Sequence, residues 1–99
     1  MGEYLQIFRA SVPEASVAAL LEIRPAAIAE AKRLCPELLR VQLVRLTDGT
    51  WLDVLIWSRP DGEQRLMERA AQFDAITGRH DLLVDMEAPL RGAIVHTAP

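Results

Sequence analysis

Residues 38–58 read LLRVQLVRLTDGTWLDVLIWS, and the pattern of this stretch decides the fold. Two apolar runs flank Thr47-Asp48-Gly49-Thr50. Asp-Gly between such runs favours a hairpin with a two-residue type I′ turn. That turn sets a register in which Leu46 opposes Trp51, Val44 opposes Asp53, Gln42 opposes Leu55 and Arg40 opposes Trp57. The other face carries Leu39, Val41, Leu43 and Arg45 against Leu52, Val54 and Ile56. One face is nearly all aliphatic, while the other is amphipathic and holds both tryptophans. A sheet with two largely apolar faces must be covered on both. Helices of the same chain can cover one. A second copy of the chain is expected on the other.

Upstream of the hairpin, Tyr4 to Val12 carries Tyr4, Leu5, Ile7, Phe8 and Val12 without a breaker and reads as a first strand. Ser11, with Glu14 three residues on and Pro13 between them, reads as a helix start. The apolar stripe Val17, Leu20, Leu21, Ile28, Ala31, Leu34 and Cys35 has helical spacing. Pro25 removes one backbone bond and crowds the preceding turn, so a kink or break is expected near Ile23-Arg24. Pro36 stops the helix. Downstream, Asp61-Gly62-Glu63 opens a second helix with Asp61 as its cap and Leu66, Met67, Ala70 and Phe73 on its buried side. Residues 74–89 are ambiguous: Gly78 suggests a break, and Leu82, Leu83 and Met86 suggest a further helical turn. Arg91 to Thr97 reads as a last strand. The order β-α-β-β-α-β is an α+β, ferredoxin-like arrangement with a four-stranded antiparallel sheet.

With 99 residues the chain is expected to form one domain, residues 1–99, without repeats or linkers. A hydrophobic fraction of 51% with 25% charged residues is globular composition rather than disorder. The net charge of −3, with its positive residues scattered, argues against nucleic acid as the main ligand. No window approaches the roughly 20 apolar residues of a membrane span, and the first residues lack a signal-peptide pattern. A single cysteine cannot form an internal disulfide, so a reducing cytoplasm is the expected compartment.

The run Arg24-Pro25-Ala26-Ala27-Ile28-Ala29, then Cys35-Pro36, Leu43-Val44-Arg45-Leu46, Asp48-Gly49-Thr50-Trp51-Leu52-Asp53-Val54 and Trp57-Ser58 resembles the antibiotic biosynthesis monooxygenase domain family. The resemblance covers roughly residues 4 to 75. It implies a homodimeric α/β barrel in which two four-stranded sheets face each other. It also implies activities that range from cofactor-independent oxygenation of polyketide-derived phenols to haem degradation. The haem degraders use an Asn, a Trp and a His. This chain has no Asn, and Leu66 stands near the expected His, so only Trp57 matches.

The resemblance implies that Trp57 lines a pocket at the end of the third strand; its alternative is a large core side chain that closes the barrel end. Tyr4 and Phe8 share strand parity and join it as substrate-binding candidates. Trp51 beside the turn is a packing residue or a further pocket wall. Asp53 lies between the tryptophans on one face, where desolvation would raise a carboxyl pKa and suit a general base. Its alternative is an ion pair with Arg40, Arg9 or a second copy's Arg45 that fixes the dimer register. His80, after Gly78-Arg79, is the second base candidate. Arg40 is the arginine expected to hold a substrate anion. No His, Cys, Asp or Glu spacing matches a metal site, and no glycine-rich phosphate cradle is present, so neither metal nor flavin is expected. The ligand is expected to be a flat hydrophobic molecule. Its chemistry is oxygenation without a cofactor, polyketide cyclisation or isomerisation, or binding alone.

Overall fold

In the computed structural model, residues 2–70 and 85–99 are described. Strand β1 (Glu3–Ala10) leads through a single turn of 3-10 helix at Glu14–Ser16 into α1 (Val17–Leu34). The hairpin strands β2 (Leu38–Arg45) and β3 (Trp51–Trp57) follow, then α2 (Gly62–Ala70) and β4 (Leu90–Ile94). The four strands form one antiparallel sheet in the order β2-β3-β1-β4, which is the ferredoxin-like topology. The base candidate His80 and residues 74–84 of the ambiguous segment lie outside the described residues, and residues 85–89, where Met86 suggested a further helical turn, are not helical.

The hairpin differs from its expected register by one residue. Arg45 pairs with Trp51, Leu43 with Asp53 and Val41 with Leu55. The loop is Thr47-Asp48-Gly49, closed by Gly49 N–H to Leu46 O at 3.0 Å and Leu46 N–H to Thr50 O at 2.8 Å. A type I′ turn needs positive φ at both central residues, whereas here Gly49 alone takes it, at 88°. Asp48 selects this geometry: its Oδ1 accepts the Thr50 N–H at 2.9 Å and the Thr50 hydroxyl at 2.6 Å. The result is a type I turn followed by a left-handed glycine, the usual three-residue hairpin loop. Those Thr50 bonds, ahead of the Arg9 guanidinium, hold the Asp48 carboxyl below its ordinary range.

A bulge at Leu39 changes the register again, so that Leu38 rather than Leu39 pairs with Trp57. The bulge turns Leu38 into the core, where it is 4% exposed. Arg40, moved by the one-residue slip alone, lies opposite Ile56, not Trp57, and bonds Glu3 at 2.6 Å on the far side of the sheet.

The helices cover the face that carries Tyr4, Gln6, Phe8 and Ala10 with Trp51, Asp53, Leu55 and Trp57. Two apolar clusters fill this layer. One gathers Ala31, Cys35, Leu38, Leu55, Trp57 and Leu66, and the other Ala10, Val12, Leu20 and Trp51. The opposite face presents Leu5, Ile7, Leu52, Val54 and Ile56, with Val44 38% and Leu90 69% exposed at its edges. No described element covers it.

Helix α1 runs through Pro25 without interruption. The carbonyl that Pro25 leaves unpaired belongs to Leu21, a residue that is 52% exposed on the outer side of the helix. Ser11 is not the cap either, because the turn at Glu14–Ser16 moves the helix start to Val17. No described helix is long and apolar enough to cross a membrane.

Candidate functional site

The site begins with strand parity. The β1–β3 ladder sets Tyr4 against Trp57, Gln6 against Leu55 and Phe8 against Asp53, all directed to the helix side. Above them α1 presents Ala27 and Ala31, two small side chains one turn apart that are 3% and 7% exposed. Small residues there leave room between helix and sheet. That room is a cavity of about 150 Å³, walled by Phe8, Ile28, Val41, Leu55, Trp57, Leu66 and Met67. An apolar cavity of that volume holds about one benzene ring. A second, more open cavity of about 350 Å³ adjoins it, lined by Tyr4, Pro60, Arg91 and Ala93. Gln6, Trp57 and Glu63 line both.

Three polar groups decide the chemistry of these walls. The Trp57 indole Nε1–H donates to Gln6 Oε1 at 3.0 Å, with both side chains buried. Gln6 Nε2 is buried and has no hydrogen-bond partner among the described residues. Glu63, on the first turn of α2, accepts from Arg91 of β4 at 3.1 Å through Nε and 2.5 Å through Nη2. Gly62 precedes Glu63 and lets α2 lie directly on Trp57: a Cβ at Gly62 would stand 2.6 Å from the indole Cδ2.

Of the candidates named from the sequence, Trp57, Tyr4 and Phe8 come together on these cavities. Trp51, Asp53 and Arg40 do not line them. Trp51 packs in the second cluster beneath the Arg45 guanidinium, whose carbon is 5.1 Å from the ring centroid. Asp53 is 3% exposed and engaged by Arg24, with Nη2 2.9 Å from Oδ1 and Nη1 3.4 Å from Oδ2. The pairing alternative thus has a partner in α1 that the sequence reading did not consider. Burial pushes the Arg24 pKa down from its ordinary value.

Cys35 is fully buried at the end of α1, and its Sγ lies 2.8 Å from Glu37 Oε2. Burial, with help from that bond, raises its pKa to about 11, so it stays a thiol. Among the described residues no three His, Cys, Asp or Glu side chains come close enough to hold a metal ion.

Sequence reasoning missed Gln6, Glu63 and Arg91. Gln6 sits at the same parity as Tyr4 and Phe8, so a polar residue inside an apolar row was the available signal. Nothing local marks Glu63, whose place on the cavity follows from where α2 docks.

No protein-family model matches this chain, and no curated protein matches it in sequence. Solved structures do. A candidate antibiotic biosynthesis monooxygenase from Chloroflexus aurantiacus J-10-fl is similar with a TM-score of 0.70 at 15% identity, covering 98% of this chain and 97% of its own. A mutant of SnoaB, a cofactor-independent oxygenase from Streptomyces nogalater, gives 0.68 at 18% identity, covering 100% and 97%. A dimeric ferredoxin-like protein from an uncultured marine organism gives 0.68 at 10%, covering 100% and 93%. This chain has the ferredoxin-like fold of the solved antibiotic biosynthesis monooxygenase structures to which it is similar.

Proposed function

We propose that this protein is a homodimer that binds a flat, hydrophobic, polyketide-type aromatic molecule between helices and sheet, and that it oxygenates this molecule without a cofactor. The observation that carries the reading is the apolar cavity against Trp57, which opens beside a single carboxylate, Glu63. Pockets that bind such molecules are mostly apolar with a few placed polar groups. The cofactor-independent oxygenase among the similar structures supports the choice of chemistry. In this reading Glu63 takes the role assigned to Asp53 from the sequence. It accepts a proton from the acidic CH₂ of a bound anthrone-type phenol, and Trp57 and Phe8 hold the ring. The substrate carbanion then supplies electrons to O₂. One oxygen atom stays on the former CH₂ carbon as a carbonyl, and the other leaves as water.

A second reading, ligand binding without turnover, is favoured by one observation. The Glu63 carboxylate is already engaged by Arg91. Incubation with 1,8-dihydroxyanthrone under air separates the two. The oxygenase predicts O₂ uptake and quinone formation above autoxidation, and a loss of about a hundredfold in Glu63→Gln with binding retained. Binding with no added O₂ uptake supports the accessory protein. Absence of binding refutes both.

A further inference from the structure

The reading above leaves the ligand's functional groups open, and the Gln6 amide narrows them. An indole N–H can only donate, so the Trp57 bond at 3.0 Å assigns the Gln6 oxygen to the indole and leaves the amide nitrogen as the free head. Gln6 is 2% exposed, its Nε2 has no partner among the described residues, and the residue lines both cavities. A buried amide donor without a partner is costly, which makes it a demand for an acceptor rather than a neutral feature. Water is a poor answer to that demand. An enclosed water needs two to four polar partners, and the other polar side chains of the smaller cavity, the Trp57 indole and the Glu63 carboxylate, are already engaged by Gln6 and Arg91.

We propose that Gln6 Nε2 is the specificity-determining donor of this cavity, and that it selects flat aromatic ligands carrying a carbonyl oxygen, ketones and quinones, over the matching hydrocarbons. The inference rests on the cavity being a ligand site, as proposed above. The mechanism is differential. A hydrocarbon that fills the cavity leaves the amide N–H buried and unpaired, whereas a carbonyl of the same shape satisfies it. Trp57 contributes by pinning the amide oxygen, so Gln6 cannot rotate to present an acceptor instead. The site therefore discriminates against ligands that offer only a donor at that point. The two adjoining cavities, about 150 and 350 Å³, give room for more than one fused ring around the contact.

The test uses 9-fluorenone and fluorene, unreactive tricycles that differ in a carbonyl against a CH₂. Dissociation constants come from tryptophan fluorescence, and the Gln6 side-chain amide resonance is followed by ¹⁵N NMR. The proposal expects fluorenone to bind about tenfold more tightly, the factor equivalent to about 1.4 kcal/mol. It also expects the Gln6 Nε2 resonances to shift with fluorenone and not with fluorene. In Gln6→Met, which keeps bulk but has no donor, the ratio falls to one or below. Should that variant not fold, the wild-type ratio and amide shift decide alone. Equal affinities, or an unmoved amide, overturn the role of Gln6 while leaving the cavity a ligand site. Failure of both tricycles to bind overturns the ligand site and this inference together.

Discussion

At Asp53 the surroundings, not the residue type, settle what a buried carboxylate does. Its oxygens meet the Arg24 guanidinium at 2.9 and 3.4 Å, and the two side chains are 3% and 9% exposed. Removing one member of such a pair leaves the other charge buried without compensation, which typically costs about 3–5 kcal/mol. Asp53→Asn is therefore expected to lower unfolding stability by about 3 kcal/mol or more in urea melts. A paired apolar replacement, Arg24→Met with Asp53→Leu, should recover most of that loss. If Asp53→Asn melts like the parent, the charge of the pair contributes nothing to the stability of the fold.

Helix α2 is placed by its first residue. The glycine at Gly62 allows the helix start to rest on the Trp57 ring, and the same approach carries Glu63 and Leu66 to the cavity. A methyl group at that point must displace the indole, which also holds the Gln6 amide. Gly62→Ala is expected to cost about 1–3 kcal/mol, the range for overpacking a filled core. It should also weaken fluorenone binding, since the displaced indole moves against the cavity. Calorimetric melting and the same fluorescence titration check both effects. An unchanged melting temperature would show that the helix start shifts freely.

For the whole molecule, the sheet face opposite the helices is decisive. Leu5, Ile7, Leu52, Val54 and Ile56 form a continuous apolar surface, bordered by the ion pairs Arg9–Asp48 and Arg40–Glu3. An apolar face with a charged rim suits an interface between two copies. Light scattering is expected to give twice the chain mass of 11.0 kDa at micromolar concentration. Val54→Arg, at the centre of that face, should give the monomer, because it would bury an unpaired charge in the dimer. A wild-type monomer under the same conditions would remove the barrel from consideration.

The fold was legible in the sequence because strand parity, helical spacing and turn residues act over a few positions. From them follow the element order, the hairpin, the two apolar sheet faces and the shared parity of Tyr4, Phe8 and Trp57. The register of the hairpin was not legible, since Asp48-Gly49 suits two loops whose difference lies in how the Asp48 carboxylate bonds Thr50. One residue of slip reverses which β2 side chains join Trp57, and Arg40 left the site by that step alone. Arg24 with Asp53, 29 positions apart, and Glu63 with Arg91, 28 apart, are contacts that only docked helices create. Local chemistry determined what each segment becomes; the site was decided by tertiary packing, because burial and pairing are properties of neighbours distant along the chain.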